Sequence, residues 1–401
     1  MYLLNHSVHY KGTYQDTTLR QTFDVEAGDK LFQNNNNKFT DVSKKANIRG
    51  SALGYGLGVA IGDLNGDGWE DIYVSNDFHE NDYLYYNNKN GTFSEKITQA
   101  TGHTSRFSMG CDMADFNNDG KNDLLVLDMQ PEDETVLKNS DGAEPYNIYQ
   151  YKIGFGYHYQ YARNTLQLNQ GNGNFSEIAL LSGVYATDWS WSALFCDLDN
   201  DGWKDIFISN GIARRPNDLD YLKFLSDQEV NRALAKGIDA QNLKFIEKMP
   251  KGKVANVAFR NNQDLTFNKI SAEWGLDKIG FSNGSAYADL DNDGDLDLIV
   301  NNLNDLASVY RNESDTQIKN NFLKINLLGN NKNTFGIGTK VLIKHQGKMF
   351  YQEQQAARGF ESSVEPVLTI GLGNLQNLDT VIVMWNDQKS EILTNVKALI
   401  L

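Results

Sequence analysis

Four short stretches of this chain gather carboxylates at a spacing that suits a hard divalent cation. They are Asp63-Leu-Asn-Gly-Asp-Gly-Trp-Glu-Asp71, Asp115-Phe-Asn-Asn-Asp-Gly-Lys-Asn-Asp123, Asp197-Leu-Asp-Asn-Asp-Gly-Trp-Lys-Asp205 and Asp289-Leu-Asp-Asn-Asp-Gly-Asp-Leu-Asp297. Calcium wants six to eight oxygens at about 2.3–2.6 Å. In a tight loop the side chains at positions 1, 3 and 5 converge on one point, and a backbone carbonyl at position 7 and the aspartate at position 9 extend the shell. The predicted ligands are therefore Asp63, Asn65, Asp67, Trp69 and Asp71 in loop one, and Asp115, Asn117, Asp119, Lys121 and Asp123 in loop two. Loop three offers Asp197, Asp199, Asp201, Trp203 and Asp205, and loop four Asp289, Asp291, Asp293, Asp295 and Asp297. Trp69, Lys121, Trp203 and Asp295 would contribute only carbonyls. Position 6 is always glycine (Gly68, Gly120, Gly202, Gly294), as a sharp turn without room for Cβ requires.

An EF-hand loop starts the same way but needs a bidentate Glu at position 12 and a following helix. Here position 12 is Val74, Val126, Ile208 or Val300, each inside an apolar run. Four empty acidic turns would be costly, since two carboxylates ~4 Å apart repel by about 4 kcal/mol at an effective dielectric of 20. The sequence predicts about four Ca2+ ions and no other cofactor.

The elements around the loops repeat as well. A strand ending in Asn precedes each loop: Leu31–Asn34, Leu84–Asn87, Leu166–Asn169 and Ala258–Asn261. A second strand is marked by Phe39, Phe93, Phe175 or Phe267. A third enters the loop, as Val59-Ala-Ile-Gly-Asp63, and a fourth leaves it, as Ile72-Tyr-Val-Ser-Asn76. Four short strands per repeat of about 50 residues predict propeller blades. Val309-Tyr-Arg-Asn312 then reads as a first strand with no blade after it. Tyr2-Leu-Leu-Asn-His resembles a fourth strand, which predicts a piece of a longer protein with upstream blades missing. A closing blade shared between residues 2–10 and 309–312 is the other reading. Two insertions follow fourth strands. One, 130–163, is rich in tyrosine (146, 149, 151, 157, 159, 161); the other, 211–253, places Leu219, Leu222, Phe224, Leu225 and Val230 near helical spacing.

Beyond residue 320 the loops stop and half-buried strands alternate, with His345-Gln-Gly-Lys348 as a hairpin turn. The expected fold is all-β: a β-propeller over 1–315, with an incomplete ring and a helical insertion, and a small β-sandwich over 321–401.

The remaining chemistry is sparse. Gly280-Phe-Ser-Asn-Gly284 matches a nucleophile elbow, but Ser282 belongs to a repeated strand whose counterparts are Gly54–Gly58, Arg106–Gly110 and Asp188–Ser192. The six histidines are scattered, His6 and His9 being the one close pair, and no HExxH, P-loop or dinucleotide fingerprint occurs. Arg214 and Arg215 are expected to pair with Asp218 and Asp220, and Cys111 and Cys196 to be buried thiols. With 37 Lys and Arg against 52 Asp and Glu, net charge −15, no basic face for nucleic acid exists. No apolar run approaches the ~18 residues of a membrane span, and the first residues lack the basic start and apolar stretch of a signal peptide.

The blades resemble FG-GAP or VCBS repeats of integrin α-type propellers, and most of all bacterial repeat proteins related to cartilage acidic protein. Gly336-Ile-Gly-Thr-Lys-Val, Arg358-Gly-Phe-Glu-Ser-Ser and Ile370-Gly-Leu-Gly resemble the ASPIC/UnbV domain that ends those chains. The resemblance implies an extracellular or cell-surface protein, with any surface anchor in the missing N-terminal region and calcium rigidifying the blades. The expected function is non-enzymatic adhesion or ligand binding, to a protein or glycan meeting the two insertions. A propeller enzyme acting on polysaccharide, a lyase or hydrolase, is the alternative.

Overall fold

The computed structural model describes residues 1–7, 17–142, 144–227, 243–329 and 332–398. His9 and Val230 of the sequence reading lie outside these residues.

Each aspartate loop is the turn of an antiparallel hairpin. In the first, strand Gly56–Gly62 runs into the loop and Asp71–Asn76 leaves it, with Gly62 opposite Asp71. Strands Tyr83–Asn87 and Phe93–Glu95 then extend the same sheet on the far side of Asp71–Asn76. The next two sheets are built alike. One holds Cys111–Ala114, Asp123–Val126, Thr165–Gly171 and Asn174–Glu177; the other holds Ser190–Cys196, Asp205–Asn210, Val257–Asn261 and Phe267–Lys269.

These sheets are offset from the repeat as the sequence frames it. A sheet takes the hairpin of one loop and then the first two strands of the following repeat. The exit strand needs a partner on its free edge, and the next strand in the chain returns beside it as a meander. One expectation is corrected accordingly. Ser308–Tyr310 is not the start of an absent blade; it is the third strand of the last sheet, paired with Asp297–Asn302. At the other end Tyr2–Leu3 pairs with Lys30–Asn35, the place its likeness to a fourth strand predicts. Among the described residues it shares no blade with Ser308–Tyr310.

The exit strands Asp71–Asn76, Asp123–Val126 and Asp205–Asn210 are buried at every residue. Their unbroken apolar runs follow from that, because both faces of each sheet meet a neighbour. Tyr73 and Leu84 of one sheet pack with Met113 and Val126 of the next. Leu125 and Leu166 meet Phe195 and Ile206, and Phe207 meets Tyr287 and Leu298. Each fully buried side chain of this kind contributes ~1.5–3 kcal/mol. The stacked sheets make the fold all-β and propeller-like, with the four loop-entering strands side by side in chain order.

The C-terminal residues form two sheets. Asn321–Asn326 pairs with Val367–Gly373, and Lys348–Glu353, Lys340–His345, Asn377–Met384 and Ser390–Lys397 form the other in that order. Val341, Ile343, Val381 and Val383 alternate inward and meet Leu323, Ile370 and Leu372 across the sandwich. The predicted hairpin is present, His345 opposite Lys348. Between the sheets, residues 354–366 leave the sandwich and reach the loop-entering strands: Gly359 bridges to Cys111, and the Phe360 N–H donates to Ser192 Oγ at 3.3 Å. Arg358, buried there, donates from Nε and Nη2 to the two oxygens of Asp112 at 2.9 and 2.7 Å.

The insertions leave from the ends of exit strands opposite the loops. The first contains helices Glu134–Lys138 and Tyr146–Gly154 and strand Gln160–Tyr161, parallel to Thr104–Ser105. The second contains Leu219–Leu225 and Leu243–Glu247. They meet where Asn139 Nδ2 donates to Asp218 Oδ2 at 2.7 Å.

Candidate metal centres

The four loops share one hydrogen-bond scheme. The position 1 carboxylate accepts the glycine N–H of position 6, at 2.8 Å in Asp63 and Asp115, 3.0 Å in Asp197 and 2.9 Å in Asp289. Position 5 accepts the N–H of position 7, at 3.0, 3.0, 2.9 and 3.3 Å from loop one to loop four. Position 9 accepts the N–H of position 2 through one oxygen, as Asp71 does from Leu64 at 3.0 Å. These bonds curl the backbone and aim the remaining carboxylate oxygens inward.

The other oxygen of position 9 explains the asparagine that ends each first strand. Asp71, Asp123, Asp205 and Asp297 accept the backbone N–H of Asn87, Asn169, Asn261 and Asn312 at 2.8, 2.8, 3.0 and 2.8 Å. The asparagine amides then staple neighbouring loops. Asn169 Nδ2 donates to Asn122 O of its own loop and to Leu64 O of the loop before, both at 2.9 Å. Asn261 joins Lys204 O to Phe116 O, and Asn312 joins Leu296 O to Leu198 O. The sequence marks these asparagines as a repeat feature without revealing their role.

In loop three one carboxylate oxygen each from Asp197, Asp199 and Asp205 lies within 4.8 Å of the others, and in loop four the same holds for Asp289, Asp291 and Asp297. Loops one and two carry Asn65 and Asn117 at position 3, so their sets mix amide and carboxylate oxygens. The residues fit a hard cation on a further observation. Asp197 is buried, yet its Oδ1 has no hydrogen-bond donor. Burial, with neighbouring loop carboxylates adding, pushes Asp71 and Asp197 up to about 7 and raises Asp205 well above the usual range. Burial likewise takes Asp115 to about 7. A cation among these oxygens would favour their ionised form.

The C-terminal sandwich sits on this loop face. At loop one Glu353 accepts the Asp63 N–H at 3.3 Å and Lys340 Nζ donates to Asp63 Oδ2 at 2.9 Å. At loop four Glu365 accepts the Asp289 N–H at 2.9 Å and Lys324 donates to Asp289 Oδ2 at 2.6 Å. The contact also constrains glycine. A Cβ on Gly294, whose φ is +96°, would stand 2.0 Å from the Phe322 ring, and one on Gly371 would stand 2.1 Å from Asp197 Oδ2.

The other candidates resolve plainly. Ser282 opens strand Ser282–Ala288 and donates to Asn302 Oδ1 at 2.8 Å, with no strand–turn–helix around it. Cys111 and Cys196 are buried free thiols. Arg214 and Arg215 do not take their sequence neighbours as partners. Arg214 donates to Met249 O at 2.9 Å and Arg215 pairs with Asp188. Asp218 instead caps helix Leu219–Leu225 by accepting the Tyr221 N–H at 2.8 Å, which a helix start favours.

At the opposite rim the first insertion walls a cleft of about 700 Å3 lined by Arg106, Phe107, Tyr146, Tyr149, Tyr161 and Arg163 among others. Tyr149 and Tyr161 stack with centroids 6.4 Å apart. Tyr157 is buried, whereas Tyr146 is 77% exposed. Next to the cleft His103 lies edge-on to Tyr161 at 4.8 Å and within 3.1 Å of Arg163 Nη2. No helix among the described residues is long and apolar enough to cross a membrane.

Comparison with known proteins agrees with this architecture. The FG-GAP-like repeat family matches residues 22–74, 63–126 and 155–208, and the ASPIC and UnbV family matches 329–399. Cartilage acidic protein 1 of Mus musculus is 26% identical over 357 residues, 87% of this chain and 44% of the relative. The Homo sapiens protein of that name is 25% identical over 356 residues, 87% and 43% respectively. The chain thus spans less than half the length of these relatives. A solved structure on recognition of non-reducing terminal N-acetylglucosamine by an Agrocybe aegerita lectin is 16% identical, covering 86% of this chain and 82% of that one with a TM-score of 0.31.

Proposed function

From a chain built of FG-GAP-like repeats and an ASPIC and UnbV domain, we infer a calcium-stabilised extracellular or cell-surface protein that binds a protein or glycan and catalyses nothing. Calcium is the cation because all-oxygen donor sets of carboxylate, amide and carbonyl suit a hard ion with a flexible shell. Extracellular calcium near the millimolar range would fill even weak sites of this kind. The five predicted ligands of each loop remain those named from the sequence.

The observation that carries the binding reading is the division between the two rims. The C-terminal sandwich packs on the loop face, so its cations act as fasteners. The cleft at the other rim is open, aromatic and built from an insertion on a rigid scaffold, where recognition commonly resides. Tyrosines offer large, stiff contact area with a polar tip. A glycan and protein array, probed with the full chain in calcium and in EDTA, tests it. Binding that needs calcium and is lost on Tyr146→Ala plus Tyr149→Ala supports the reading; binding that survives both changes overturns the cleft assignment.

One observation favours the enzyme reading. Tyr161, His103 and Arg163 stand together beside the cleft, the residue types a polysaccharide lyase would use for proton transfer. Glu177, however, holds both His103 Nε2 (3.2 Å) and Arg163 Nη2 (3.6 Å), which ties the set to the scaffold. Release of new reducing ends from acidic or neutral polysaccharides, abolished by His103→Ala, would reverse the preference.

A further inference from the structure

Beside loop four stands a second set of carboxylates in which the repeat accounts only for Asp293, at position 5 a predicted ligand of the loop itself. Asp293, Asp295 and Asp315 each place one carboxylate oxygen within 4.8 Å of the others, and none belongs to the adjoining trio of Asp289, Asp291 and Asp297. Asp293 and Asp295 come from loop positions 5 and 7. Asp315 comes from the short helix Ser314–Gln317, in the segment linking the last sheet to the C-terminal sandwich. Position 7 is Trp69, Lys121 and Trp203 in the other loops, so loop four alone supplies a carboxylate there.

The arrangement is held from both sides. Asp295 Oδ2 accepts from Ser314 Oγ and from the Asp315 N–H, each at 3.0 Å. Asp297 meanwhile fixes Asn312, just before the helix, at 2.8 Å. Asp295 is fully buried, yet its Oδ1 has no hydrogen-bond partner, and neither has Oδ1 of Asp315. A buried anionic oxygen without a donor is a rare and costly state. Arg311 does not relieve it: its guanidinium goes to Asp291 at 2.7 Å and to Asp293 at 3.4 Å. No Lys or Arg among the described residues pairs with Asp295 or Asp315 within 4.0 Å.

We propose that Asp293, Asp295 and Asp315 hold a second divalent cation beside loop four, of the oxygen-loving class that includes calcium and manganese. It fastens the linker to the last sheet, and so ties the sandwich to the propeller by a metal as well as by Lys324. The site rests on the reading that loop four itself takes calcium, and the experiment separates the two.

Native mass spectrometry of the full chain in calcium would count bound ions for wild type, Asp315→Asn and Asp289→Asn. Asp315→Asn keeps the backbone N–H that Asp295 accepts and nearly the same volume. The expected result is one ion fewer in Asp315→Asn than in wild type, with the loop-four ion retained. An unchanged count in Asp315→Asn, while Asp289→Asn loses an ion, overturns the second site and leaves the loop reading standing. Absence of calcium from wild type removes both. Crystals of the wild type soaked in manganese give a readout free of folding effects: two anomalous peaks at loop four support the proposal, and a single peak among Asp289, Asp291 and Asp297 defeats it.

Discussion

The two rims of this molecule are built by opposite rules. At the loop rim positions 1, 5 and 9 of every loop accept the same backbone donors, and an asparagine joins loops two, three and four each to the one before. The sandwich then packs on that rim. At the insertion rim nothing repeats: a nine-residue helix, Tyr146–Gly154, and exposed tyrosines wall an open cleft. Repetition is what a fastening must have, since each blade needs the same closure. Irregularity is what a recognition surface allows, because it has only to hold its own shape.

Removing divalent cations should strike the first rim hardest. A site filled at about 100 times its dissociation constant contributes roughly 2.7 kcal/mol, so several sites together approach the net stability of a domain, about 5–15 kcal/mol. EDTA should lower the melting temperature by on the order of 10 °C or more. Amide exchange should quicken first in the four hairpins and last in the core of the C-terminal sandwich, which carries no such loop. An unchanged melt in chelator would sink the calcium reading altogether.

The next effect concerns what holds the sandwich to the blades. Arg358→Met leaves Asp112 buried without its cation, which costs about 3–5 kcal/mol for a pair of this burial. Adding Asp112→Asn should recover part of the loss, since the stranded charge goes. If the double variant melts no higher than the single one, packing of residues 354–366 rather than charge secures the sandwich.

How far the sequence foretold this contrast depends on range. The aspartate loops were legible because their carboxylates fall within nine residues, and turn glycine, alternating polarity and the apolar position 12 all act locally. The asparagine that ends each first strand was visible as a pattern only. Its amide acts on a carbonyl 105 residues away in the case of Asn169 and Leu64, and no local rule announces that. The clamp of Lys340 on Asp63 spans 277 residues, so the covering of the loops was hidden too. The Arg215 pairing failed for the same reason in reverse. Proximity in sequence favoured Asp218, but a helix start claimed that carboxylate, and Asp188, just before the strand that pairs with the exit strand, took the arginine. Blade boundaries were misplaced because a strand's sequence says that it pairs, not with which edge.

The staples can be weighed individually, and here the repeat supplies its own control. Asn169→Ala removes a donor from Leu64 O and Asn122 O together, both buried, and should cost about 1–3 kcal/mol. Among the described residues the Asn87 side-chain amide donates only to Glu70 O, at 3.0 Å. Asn87→Ala should therefore cost about half as much, measured by urea denaturation. Equal losses would mean that the asparagines support their own loops and that nothing passes between blades.

The smallest effect on stability is expected at the other rim, and it is the sharpest test of the division. Tyr146 is 77% exposed, so folding buries little of it. Tyr146→Ala should shift stability by less than about 0.5 kcal/mol. It should nonetheless weaken the captured ligand by about tenfold, some 1.4 kcal/mol, once an array has supplied one. A variant that binds normally but melts several degrees lower would put this tyrosine with the scaffold, and the two rims would then differ in shape alone.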